Sequence, residues 1–165
     1  MPSSDTKDVN FLVINENRNG TKDDLKIELS SPILNFKNLQ KIKNFVLGKK
    51  YDLSLIFAPD AKLATLNKKY RGKKGTTDIL SFPLSDQSGE IYISPREAAR
   101  QAPLFNFSNS ETAKFIGFLF IHGLLHLKGY DHGSRMEQEE TKLVKKFRLS
   151  PSLAPQNIAS SPKQV

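Results

Sequence analysis

The chain has 165 residues, no cysteine, three histidines and a formal net charge of +8, with 25 lysines and arginines against 17 acidic residues. A chain of this length buries one real core and is short for two, so a single domain is expected over residues 1–150, followed by a disordered tail at 151–165. The lack of cysteine excludes disulfides and thiolate metal sites and leaves histidine and carboxylate as metal ligands, while the positive balance favours an anionic partner.

The N-terminus, MPSSDTKDVN, lacks the apolar core of a signal peptide. FLVINEN at 11–17 and KIELS at 26–30 read as short strands. Residues 36–47 read as a helix, with Phe36, Leu39, Ile42, Phe45 and Val46 at helical spacing. LSLIFA at 53–58 is a buried strand. Asp60 is placed to cap a helix over 61–70, and glycines 72 and 75 mark a basic loop after it. DILSFPL at 78–84 and EIYIS at 90–94 form strands on either side of a Ser, Asp and Gly turn. Ser94, Pro95 and Glu97 make a capping box for a short helix. An apolar helix follows from about 110 to 128 and a more polar one from about 134 to 148. The chain's longest apolar stretch, FIGFLFIHGLLHL at 115–127, is too short to span a membrane and reads as a buried helix. SPSLAPQNIASSPKQV, at the end, is rich in serine and proline and has no core pattern. The expected fold class is α+β, mixed α/β: a small mixed β-sheet packed with helices around a central buried helix.

All three histidines fall within HGLLHLKGYDH, residues 122–132. His122 and His126 are four apart, which on a helix puts both imidazoles on one face. Gly129 is suited to the left-handed conformation that closes a helix. The chain then turns back, and His132 reaches the space in front of the other two. Three nitrogen ligands leave a tetrahedral metal one open position, the arrangement of a catalytic zinc. The His, Gly and His spacing is that of the metzincin motif H-E-x-x-H-x-x-G-x-x-H, so the metal helix is expected to be zincin-like. Gly123 stands where that motif has glutamate. Glycine supplies no general base, which disfavours ordinary peptidase chemistry. Its presence inside a helix implies close approach, either of a packed neighbour or of substrate.

Two runs of positive charge complete the pattern. Residues 29–51 hold Lys37, Lys41, Lys43, Lys49 and Lys50 with no acid among them, and KKYRGKK at 68–74 sets Lys68, Lys69, Arg71, Lys73 and Lys74 around Tyr70. Such runs are solvated faces in most proteins and nucleic-acid contacts in some.

LNKKYRGKKGTTDILSFP at 66–83, GEIYIS at 89–94 and HGLLHLKGYDH together resemble, in order and spacing, the bacterial YbeY family of metal-dependent endoribonucleases that act in ribosomal RNA maturation. The resemblance is close over residues 50–135. GSRMEQEE after His132 departs from the family's acidic run, the turn before GEIYIS is short and the tail is extended. The resemblance implies one divalent metal, zinc in type, on His122, His126 and His132, with Arg71 as the functional arginine beside it. It also implies cytosolic work on single-stranded RNA, with the ribosome as associate and no membrane. Arg71 would then hold the phosphate of the transition state, and Lys68, Lys69, Lys73 and Lys74 would follow neighbouring phosphates. Asp131 either orients a ligand from outside or serves the turn, and Ser81 and Phe82 either line the cleft or form an ordinary strand. Two other functions stand beside the nuclease: a metallohydrolase on a peptide or small anion, and a noncatalytic RNA-binding ribosome-assembly factor with a structural metal. RNA binding without metal-dependent cleavage distinguishes the last.

Overall fold

The computed structural model describes residues 6–8, 10–16 and 31–152. In chain order these form β1 (Thr6–Asp8), β2 (Phe11–Asn15), α1 (Phe36–Leu47), β3 (Asp52–Phe57), α2 (Asp60–Arg71), β4 (Ile79–Ser85), β5 (Ser88–Ile93), α3 (Pro95–Gln101), α4 (Thr112–Leu127) and α5 (Ser134–Lys146). KIELS and the segment beyond Ser152 lie outside the described residues.

One mixed sheet runs in the order β1-β2-β3-β5-β4. β2, β3 and β5 are parallel neighbours, and β1 and β4 are antiparallel edges. Edge position suits Pro83, which has no N–H for a second partner and sits where the β4–β5 register shifts. Alternation along β3 divides the core between two faces. Leu53, Leu55 and Phe57 join the main cluster with α1, α3, α4 and α5, whereas Ile56 packs with Leu63 of α2, Leu80 and the partly buried Phe82 and Tyr92. The fold class expected from sequence is the one found.

α4 is the centre of the main layer, packing on β4, β5, α1, α3 and α5. Phe115, Ile116, Leu119, Phe120, Ile121, Leu124 and Leu125 are all buried, so this helix is apolar nearly all round. Its entry is fixed by a capping box in which Ser108 N–H donates to Glu111. That bond, with smaller help from Lys114 and Ser152, holds the Glu111 carboxyl down at about 2. Its exit is a Schellman turn: Gly129 has φ 106, Tyr130 N–H reaches Leu125 O and Gly129 N–H reaches His126 O. α5 ends in the same motif, but the left-handed position is filled by Arg148, at φ 58.

Local expectations shift in instructive ways. The helix at 36–47 is found at those bounds, but α2 begins at Asp60 with Pro59 as its N-cap and no side-chain cap bond. The Asp60 carboxylate instead accepts from Ser94 Oγ and pairs with Arg100. Ser94 caps Glu97 N–H as expected, but its own N–H goes to Asp78 O in place of Glu97, so the box is half made. The hairpin turn is Asp86–Gln87, which leaves Gly89 inside β5. A Cβ there would lie 2.7 Å from the Tyr51 hydroxyl and 2.9 Å from Leu127 Cδ2. Lys43 is not part of a solvated face. It is buried, and its ammonium donates to Lys49 O at 3.2 Å.

Gly123 is where α4 comes down onto the sheet. A Cβ at this position would meet Ser81 Oγ at 2.8 Å and the Cδ1 atoms of Ile79 and Ile91 at 3.0 Å. Close packing therefore accounts for the glycine. Gly123→Glu, which would complete the protease motif, should push a carboxylate into this contact and cost about 3 kcal/mol or more. Urea denaturation of the metal-free proteins measures it, and a wild-type midpoint would remove the packing account.

Candidate metal centre

His122 and His126 lie one turn apart near the C-terminus of α4, and the Schellman turn at Gly129 brings His132 back over them. His126 Nε2 is 3.1 Å from His122 Nε2 and 3.3 Å from His132 Nε2. One nitrogen from each ring lies within 4.8 Å of the others. The outer nitrogens decide what these short contacts are. His122 Nδ1 is 2.7 Å from Glu140 Oε2 and His126 Nδ1 is 3.0 Å from the Tyr130 carbonyl. Both partners are acceptors, so both Nδ1 atoms carry the proton. The Nε2 atoms of His122 and His126 then face each other with lone pairs and cannot hydrogen-bond to one another. A cation relieves that repulsion, and nitrogens about 3.3–3.4 Å apart are what tetrahedral ligation with bonds near 2.0–2.1 Å requires. The three histidines fit a metal ion.

Electrostatics keep the ligands ready. Burial, then the proximity of His122 and His132, pushes the His126 pKa down to about 4. His132 is lowered by burial first and by His122 next. His126 thus stays neutral in mildly acidic water, and the same causes favour the neutral, ligating form of His132.

Arg71 ends α2, directly before Gly72, whose left-handed backbone (φ 64) starts the basic loop. Buried Asn67 holds that loop, its side-chain Nδ2 donating to Gly75 O at 3.1 Å and its main-chain carbonyl accepting from Lys73 N–H. Arg71 lies close enough to the centre that its charge contributes to lowering the His132 pKa. Partial burial lowers its own pKa, and its Nη2 is enclosed without an acceptor among the described residues. A guanidinium in this state is set up to receive an anion.

The remaining sequence candidates separate. Lys68, Lys69, Lys73 and Lys74 are exposed around the loop, with Lys69 Nζ 5.1 Å from the Tyr70 ring centre. Ser81 faces α4, against Gly123, whereas Phe82 points to the opposite sheet face between Tyr70 and Tyr92. Neighbours on a strand must diverge in this way. Asp131 is exposed and acts on His126 and His132 through its charge. The residue that sequence reading passed over is Glu140, which fixes the His122 tautomer from α5. Its signal was available: Met136, Glu140 and Val144 share one helical face, and the first and last are buried. A carboxylate on an apolar stripe demands a partner.

A family model described as endoribonuclease YbeY matches residues 15–148. The endoribonuclease YbeY of Nautilia profundicola is 38% identical over 126 residues, covering 72% of this chain and 87% of its own. That of Aliarcobacter butzleri is 37% identical over 131 residues, covering 73% and 89%. The solution structure of TM1509 from Thermotoga maritima matches with a TM-score of 0.54 at 26% identity, over 94% of this chain and 99% of that one.

The Glu140 contact makes a prediction that does not depend on catalysis. Glu140→Gln keeps the size and an acceptor but removes the charge that supports His122, so metal affinity should fall about 10–100-fold with the fold intact. Competition with a chromophoric chelator measures this, and unchanged affinity would leave Glu140 a packing residue only.

Proposed function

The chain belongs to the endoribonuclease YbeY family, and from that premise we propose that it is a metal-dependent, single-strand-specific endoribonuclease of ribosomal RNA maturation and ribosome quality control. Zinc is the metal in this reading, the cytoplasm its location and the ribosome its associate. No helix among the described residues is long and apolar enough to cross a membrane. In this reading the catalytic domain is assigned to residues 1–150, with 151–165 outside it.

One observation carries the reading: three imidazole nitrogens converge, those of His122 and His126 with their protons held on the far side, beside a guanidinium that has an enclosed N–H without a partner among the described residues. His122, His126 and His132 would hold the metal, and Glu140 and the Tyr130 carbonyl keep two of the rings in the ligating tautomer. When bound, the metal supplies Lewis-acid chemistry, acidifying water and polarising a phosphoryl oxygen. A glutamate base at position 123 is therefore not needed. Arg71 binds the scissile phosphate and, through its two-pronged donor set, stabilises the charge that builds on it. Lys68, Lys69, Lys73 and Lys74 follow the adjoining phosphates. Tyr70, 59% exposed among them, offers an unpaired base a stacking surface. That ring and the lack of room for a carboxylate at Gly123 favour RNA over a peptide.

The direct test is cleavage of a defined single-stranded RNA by the purified protein before metal removal, after it and after repletion, with controls for contaminating nuclease. Activity should vanish and return with the metal; cleavage indifferent to metal would end the proposal. Arg71→Ala should lower the single-turnover rate about 10²–10³-fold while metal content and thermal stability stay near wild type. Arg71→Lys should recover some RNA affinity and little of the rate, because lysine keeps the charge and loses the fork. Wild-type rates in both variants would remove Arg71 from the mechanism.

A further inference from the structure

The RNA path just described leaves the lysines of α1 unused, and the fold gathers part of that set elsewhere. Lys41 of α1 meets Lys146 and Arg148, at the far end of α5, across a groove of about 580 Å³ whose lining includes Ile33, Ile42 and Leu149. All three cations are exposed, and among the described residues no carboxylate pairs with them. Beside the groove stands Phe45, 58% exposed, with Lys146 Nζ 4.6 Å from its ring centre and the Phe147 ring edge-on at 5.8 Å. Arg148 occupies the left-handed position of the α5 Schellman turn, where glycine is the usual residue. The backbone therefore accepts strain at the residue that completes the cationic set.

Three cations that face one groove with no carboxylate partner among the described residues repel each other, and a half-exposed phenylalanine keeps apolar surface in water. A polyanion that carries flat bases relieves both at once, its phosphates between the cations and a base on the ring. An acidic protein surface would answer the charges and leave Phe45 without a matching contact. We propose that this groove is a second RNA-binding site, separate from the metal centre, for the part of a single strand that extends beyond the cleavage point. The proposal rests on RNA being the substrate of the metal centre. His132 lies just before α5 and the groove at its end; the 13 residues between span about 20 Å, so only a longer RNA reaches both.

The experiment compares wild type with the triple variant Lys41→Gln, Lys146→Gln, Arg148→Gln on two single-stranded RNAs, one of roughly six nucleotides and one of about forty. Binding is followed by fluorescence anisotropy over a salt series, and cleavage of each RNA under single-turnover conditions. For the long RNA the variant should bind about 10-fold more weakly at moderate salt, with a log–log salt slope shallower by about 2, since each lost phosphate contact removes about 0.7. Binding and cleavage of the short RNA should match wild type. Phe45→Ala should weaken long-RNA binding without changing its salt slope. An unchanged slope for the long RNA would overturn the proposal, and it is also the result expected if an acidic protein fills the groove. An equal loss on the short RNA would merge the groove with the metal centre and overturn it too. Wild-type protein that cleaves neither RNA with metal restored would defeat the nuclease reading and this one with it, a pattern distinct from active wild type beside a silent triple variant.

Discussion

The hydrogen bond between His122 Nδ1 and Glu140, 2.7 Å long and spanning α4 and α5, sets the chemistry of the centre. By holding the proton on the outer nitrogen it forces the inner one to present a lone pair, and the Tyr130 carbonyl does the same for His126. An imidazole free to choose its tautomer would relieve the Nε2 contact with a hydrogen bond and bind metal weakly. Here that escape is closed on two rings, so the cost of the apo arrangement becomes part of the affinity for a cation. The same bond ties α5 to α4, which makes metal binding and helix packing one problem.

Support for this bond comes from the layer beneath. α4 lies so near β4 and β5 that only glycine fits at position 123, and that approach fixes the height of His122 and His126 over the sheet. At its end, the Schellman turn does two jobs with few residues. Gly129 lets the chain reverse toward His132, and the turn delivers the Tyr130 carbonyl beneath His126. α2 brings Arg71 in from the opposite sheet face, and Asn67 pins the loop beyond it. The centre thus draws on both layers, one for the ligands and one for the phosphate-binding group.

Much of this was legible in the residues because it is local. The i, i+4 pair, the helix-closing Gly129 and the third histidine encode the triad within eleven residues, and the apolar period of 36–47 gives α1 at its observed bounds. What sequence concealed is pairing across distance. Asp60 looks like a cap, and only the fold shows Ser94 and Arg100 taking its carboxylate. Lys43 looks like one more surface cation until the Lys49 carbonyl is seen to hold it. Ser81 and Phe82 were readable as a strand, but which of them faces the histidine helix depends on how α4 sits on the sheet. Glu140 was findable from its place on the buried stripe of α5, though not its partner.

The central claim is that the three histidines form one metal site, with the protons of His122 and His126 held on the nitrogens that face away from it. Elemental analysis after exhaustive dialysis tests it most directly. The account predicts one divalent ion per chain in the wild type and near none in His126→Ala, with the helical content of both unchanged. Full occupancy in a protein with all three histidines replaced by alanine would contradict it.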